Sequence, residues 1–295
     1  MPRAAARFLV ALGVLALLGG AAVWGVTSFL RSLDSEPLAK EQCTAVNDEI
    51  RFALSHEQAD NAALLAASSL RRGLPARAAT IAIATAMQES SLRNIDHGDR
   101  DSLGLFQQRP SQGWGSEEEI MDPVYSTDTF YDALVEVDGF EDMEITVAAQ
   151  TVQRSAFPDA YAQHEAMARA WASALTGHSP AAVTCIVHEP VRGDAEAFVE
   201  RVGRDLGDVG AQVVSGDDDD EPAVIELEAA ALGRTDAEPR LAWALAQWAV
   251  AAGARTGVTE VAVGERRWTA AAAAWVGVED TAALPTGLVR VTLLS

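Results

Sequence analysis

The chain has 295 residues, and its apolar fraction of 49% suffices for packed cores and excludes wholesale disorder. With 43 acidic residues against 22 basic ones the formal charge is −21, which excludes the clustered cationic surface that nucleic-acid binding requires. An acidic balance of this kind serves solubility and selects no substrate.

Arg3 and Arg7 precede an uncharged run, residues 8–30, which Arg31 closes. At about 1.5 Å per residue, a helix over this run crosses a bilayer core of roughly 30 Å. The positive flank lies mainly upstream, with Asp34 and Glu36 following, so the N-terminus is expected in the cytoplasm and the rest outside. A cleaved signal peptide competes, because small residues at 19–22 offer a cleavage site. The apolar run continues past them, which favours an uncleaved single-pass anchor in the cell membrane. Either reading exports the body of the protein to a compartment where disulfides persist. There are two cysteines, Cys43 and Cys185, so a single intramolecular bridge is possible, and it is expected.

Residues 32–41 form a short polar linker containing Pro37. Ser55 and Gln58 then make a capping box for a helix that stops at Gly73. Pro75 restarts the chain, and residues 76–92 are apolar on nearly every face, as in a helix at the centre of a domain. Glu89 sits near the C-terminal end of that helix. A polar, Asp-rich loop spans 94–102, and Ser116 with Glu119 makes a second capping box. Further helices are expected from Pro123 to before Gly139, over 145–154, and over 159–175 with Tyr161, Met167 and Trp171 on the apolar side. No strand is expected between the cysteines.

The character changes after Pro190. Residues 194–206 and 240–252 read as helices, and 212–214, 223–227, 258–263, 267–269 and 288–294 as strands, with a solvated acidic loop at 217–221. The expected fold class is a mainly α domain plus a small C-terminal α+β domain, preceded by one N-terminal transmembrane helix. The boundaries are 1–42 for anchor and linker, 43–189 for the helical domain and 190–295 for the α+β domain.

Glu89-Ser90-Ser91, followed by Gly104-Leu105-Phe106-Gln107, resembles the Glu-Ser … Gly-Leu-Met-Gln signature of the lytic transglycosylase and goose-type lysozyme superfamily. The family's third motif, Ala-Tyr-Asn, falls at Val152-Gln153, where both the Tyr and the Asn are replaced. The resemblance covers roughly residues 62–175 and extends to membrane-anchored actinobacterial exported proteins with a lysozyme-like domain. It implies a lysozyme-like fold, Glu89 as catalytic acid, and cleavage of the β-1,4 bond between N-acetylmuramic acid and N-acetylglucosamine in peptidoglycan glycan strands.

The residues themselves point the same way. A carboxylic acid that donates to a glycosidic oxygen must be protonated near neutral pH. Burial raises a carboxyl pKa, and the negative end of a helix dipole adds to the rise. Most glycosidases need a second carboxylate, and Asp96, Asp99 or Asp101 is placed to position a water unless these are ordinary solvated turn residues. Transglycosylases of the superfamily instead use the muramic 6-hydroxyl as internal nucleophile, with the same Glu as acid and then base. Gln107 and Gln108 are candidates for hydrogen bonds to acetamido groups, Trp114 for stacking on a sugar face, and Tyr131, Gln153 and Arg154 for lining the groove. A loop-capping amide and a partly buried Trp are the bland alternatives. His97 has no partner at ligand spacing, so neither metal nor cofactor is expected. The C-terminal domain carries no acid in a motif and is expected to bind, with a cell-envelope protein as its partner. A catalytically idle, glycan-binding scaffold is the rival reading of the whole chain.

Overall fold

The computed structural model describes residues 39–154, 159–216, 221–232, 238–279 and 282–295. The expected membrane span at residues 8–30 lies outside them. Among the described residues no helix is long and apolar enough to cross a membrane.

The expectation of a mainly helical first domain without strands is overturned. The described residues form eight helices and nine strands, and the strands make two antiparallel sheets, one in each half of the chain. β1 (Gln42–Asn47) and β2 (Ile50–Leu54) form a hairpin. Its turn residues Asp48 and Glu49 have φ of 46° and 72°, the two-residue geometry that matches the twist of paired strands. An Asp-Glu turn lacks the glycine that usually marks such a hairpin, so the sequence leaves it silent. β3 (Val183–Ile186) pairs with the other edge of β1, which places Cys43 directly opposite Cys185, and a disulfide joins them.

Six helices accompany this sheet, α1 (His56–Arg71), α2 (Ala76–Ser90), α3 (Glu117–Met121), α4 (Pro123–Val135), α5 (Ile145–Gln153) and α6 (Glu165–Leu175), and of these α1 and α6 pack on it. The capping box on α1 is formed in full, with Ser55 Oγ accepting from Gln58 N and Gln58 Oε1 accepting from Ser55 N. α2 is the central helix. Every residue from Ala78 to Ala86 is buried, and its alanines allow α6, with fully buried Trp171, to lie close against it.

The second half contributes α7 (Ala195–Leu206), α8 (Glu238–Thr256) and a six-stranded sheet. Its strands are β4 (Gln212–Ser215), β5 (Val224–Glu228), β6 (Val258–Val263), β7 (Arg266–Thr269), β8 (Ala274–Gly277) and β9 (Leu288–Leu293), in the order β4-β5-β9-β6-β7-β8. Alternation along β9 sends Val289, Val291 and Leu293 into the core. α8 is buried on all faces, with Leu241, Leu245, Trp248 and Val250 no more than 2% exposed. It packs on β6 and β9 and also on α1, α6 and β3. Glu41–Ser295 thus forms one compact unit spanning both halves.

Two polar devices run through that shared core. The amide of fully buried Gln247 on α8 accepts from Ala182 N at 2.8 Å and Val183 N at 2.9 Å, and donates to Ala174 O at 2.6 Å and Ser179 O at 3.1 Å. Arg201 on α7 donates to Asp60 of α1 at 2.9 Å and to fully buried Asp205 at 2.7 Å, and Trp248 Nε1 also donates to Asp205 at 3.2 Å.

Candidate functional site

α2 ends abruptly just after Glu89. Ser91 and Leu92 both take left-handed backbone, each with φ of 55°, although neither is glycine. Such residues are held against a preference of order 1 kcal/mol each, and they persist only where the surroundings over-determine them. Here the surroundings are visible: Leu92 N donates to Ala86 O at 2.9 Å, and the Leu92 side chain is fully buried. Ser90 Oγ donates to Leu105 O at 2.8 Å, which fastens the helix end to the Gly104-Leu105-Phe106-Gln107 turn.

That turn is itself tightly determined. Gly104 has φ of 76°, and a Cβ there would lie 2.8 Å from Ile120 O, so no other residue fits. Leu105 and Phe106 are fully buried, and the Phe106 ring stacks on Phe130 with centroids 4.3 Å apart.

Glu89 is half-buried. Tyr161 Oη donates to Glu89 Oε1 at 2.6 Å, and the Gln153 amide also hydrogen-bonds the carboxylate while donating to Phe106 O at 2.7 Å. Loss of water around the carboxyl is the largest influence and raises its pKa above the ordinary 4.5, with the Tyr161 and Gln153 bonds pulling the other way. Gln153 further lines an open cleft of about 430 Å³ together with Trp114, Glu136, Val137, Thr151 and Arg154. Gln153 therefore bridges Glu89 and the Phe106 carbonyl, and it shares the lining of the cleft with Trp114 and Arg154.

Other sequence candidates lie elsewhere. Tyr131 is fully buried, and its hydroxyl donates to Leu65 O at 2.8 Å, with burial pushing the phenol far above its usual range. Gln108 is 2% exposed and donates to Ser126 O at 3.1 Å, bracing the loop against α4. Gln107 is half-buried and donates weakly to His97 O at 3.3 Å. Asp101 is a loop staple: it accepts from Arg109 Nε at 2.6 Å and Ser111 N at 2.8 Å, and these bonds hold its carboxyl far below the usual range. Asp99 is exposed, 3.9 Å from Arg100. Asp96 is likewise exposed and accepts from its neighbour His97 at 3.0 Å. Among the described residues no group of three or more His, Cys, Asp or Glu side chains is arranged to hold a metal.

Tyr161 was read from the sequence as a core residue, and Glu136 not at all. Tyr161 stands 72 positions from Glu89, and an aromatic on the apolar face of a helical stretch gives no sign that its hydroxyl has a carboxylate to reach. No protein-family model and no curated protein matches this chain.

Proposed function

We propose that the chain is a membrane-anchored, extracytoplasmic enzyme that cleaves peptidoglycan glycan strands as a lytic transglycosylase or lysozyme does, with Glu89 as its single catalytic acid. The observation that carries this reading is the state of Glu89: a carboxyl with raised pKa at the end of a buried helix, held by Tyr161 and by Gln153, which itself lines the cleft. The protonated carboxyl donates to the glycosidic oxygen as the C–O bond breaks, and the leaving sugar departs as an alcohol. The resulting carboxylate then takes the proton of the muramic 6-hydroxyl as that oxygen bonds to C1, which closes an anhydro ring and restores the acid. Tyr161 and Gln153 stabilise the carboxylate between the two steps, and Trp114 offers a face for a sugar ring.

A catalytically idle glycan-binding scaffold is the second reading. It is favoured by the two donors that already occupy the Glu89 carboxylate and by the placement of Glu89 behind Gln153 rather than on the cleft wall. Digestion of purified peptidoglycan with the full chain, followed by mass analysis, separates the two. Cleavage products that fall by about a thousandfold in Glu89→Gln support the enzyme. Retained binding with no products from the parent chain supports the scaffold.

A further inference from the structure

A second pocket, of about 410 Å³, opens near the other end of α2. Its chemistry differs from the rest of the chain. The lining includes Arg77, Arg169, His178, Asn47, Ser173 and Thr80, and no carboxylate, in a protein whose formal charge is −21. Arg77 is half-buried. Its Nε donates to Phe140 O at 3.4 Å, and among the described residues no carboxylate pairs with its guanidinium. Partial burial of a cation without a counter-charge is unfavourable and uncommon, and a bound anion relieves it.

Arg169 reaches the pocket from α6. Glu165 takes its Nε and Nη2, each at 2.7 Å, which fixes the guanidinium plane and leaves Nη1 without a partner. Arg240 adds positive potential beside His178. Ala76 in the lining belongs to the first turn of α2, whose N-cap Pro75 supplies no side-chain cap, so the positive end of the helix dipole reinforces the two guanidiniums. Thr80 lies nine residues before Glu89 on α2, which at about 1.5 Å per residue puts the two sites some 14 Å apart along one rigid helix.

We propose that this pocket binds a phosphate-type oxyanion, as a free phosphate ester or as one unit of a phosphodiester polymer. Arginines approaching from two helices suit a tetrahedral anion with several acceptor oxygens, and the Asn47 amide in the lining adds an uncharged donor. The proposal does not rest on the glycan-cleaving reading.

The test is calorimetric titration of the full chain with inorganic phosphate, with glycerol phosphodiester and with sodium acetate, all at one chloride-matched ionic strength. Saturable binding of phosphate or of the diester, weakened at least about tenfold in Arg169→Gln, is the expected result, since each charge-assisted hydrogen bond carries that much discrimination. Preference for inorganic phosphate identifies a free phosphate ligand, and preference for the diester a polymer. Arg169 is surface-exposed, so its variant tests the site even if Arg77→Gln fails to fold. Equal heats with acetate, a response reproduced by chloride alone, or binding unchanged in Arg169→Gln would each overturn the proposal.

Discussion

Tyr161 donates a 2.6 Å hydrogen bond to Glu89 from 72 residues further along the chain. This bond opposes the effect of burial, because a donor to a carboxylate favours its ionised form. Tyr161→Phe is therefore expected to raise the Glu89 pKa further. Activity that requires the protonated acid declines as pH climbs through that pKa, so the alkaline limb of the pH–rate profile should move to higher pH in the variant. The maximal rate should fall, since the carboxyl loses a positioning contact. An unmoved alkaline limb would mean that Glu89 is not the group being titrated.

Under the proposed function Glu89 would link activity to stability. Its folded pKa lies above the ordinary 4.5, so the folded state favours the protonated carboxyl. That contribution is fully present below the unfolded pKa and is lost as pH rises through the folded value. As pH rises from 4 toward 7 that contribution shrinks, and a neutral amide at the same position is not subject to the loss. Glu89→Gln should then melt at a higher temperature than the parent at pH 7, with the gap closing at pH 4. Thermal unfolding at the two pH values measures it.

Gln247 joins α8 to the first half of the chain through four hydrogen bonds made by one buried amide. Gln247→Leu keeps the volume but strands two buried N–H groups and two carbonyls. Unmet buried groups cost about 1–3 kcal/mol each, so a loss of roughly 3 kcal/mol or more in denaturant unfolding is expected. A change under about 0.5 kcal/mol, the range of an ordinary surface substitution, would show that water replaces the amide.

Asp60 and Arg201 form the second link, an ion pair with side chains only 9% and 16% exposed. Asp60→Ala leaves Arg201 paired with Asp205 alone, so the loss should be about 1–3 kcal/mol, that of a charged hydrogen bond rather than of a stranded charge. Arg201→Met should cost more than Asp60→Ala, because it takes a partner from Asp60 and from fully buried Asp205 together. Denaturant unfolding of the two variants supplies the comparison.

These links bear on what was readable in the chain. The helices announced themselves: Ser55 and Gln58 spell the start of α1, and the run of alanines and isoleucines in α2 leaves no polar face. The strands around Val258–Val263 and Leu288–Leu293 were legible from β-branched alternation. The first sheet was not. β3 is four residues long, and the β1–β2 turn uses Asp48 and Glu49 where a glycine would have marked it. Helical neighbours on both sides set the expectation, and non-local pairing decided otherwise. At the site, Glu89 and Gln153 were legible through motif spacing, whereas the Tyr161 contact exists only once α2 and the segment before α6 are folded together. Tyr131 and Gln108 show the converse. A tyrosine and a glutamine suit sugar recognition by type, yet here both are absorbed by the core.

The disulfide across β1 and β3 has a mechanical consequence. Cys43 and Cys185, 142 positions apart, face each other in one sheet, so the chain between them, with Glu89 inside it, is a covalent ring. Tension applied between the N-terminal side and the C-terminal half passes from Cys43 to Cys185 through sulfur and bypasses the helices of the ring. A chain held at its N-terminal side can thus be pulled without its α2 being loaded. Reduction removes this bypass: in a force-extension measurement, the oxidised chain should lengthen only by the segments outside the ring, and the reduced chain by the ring as well.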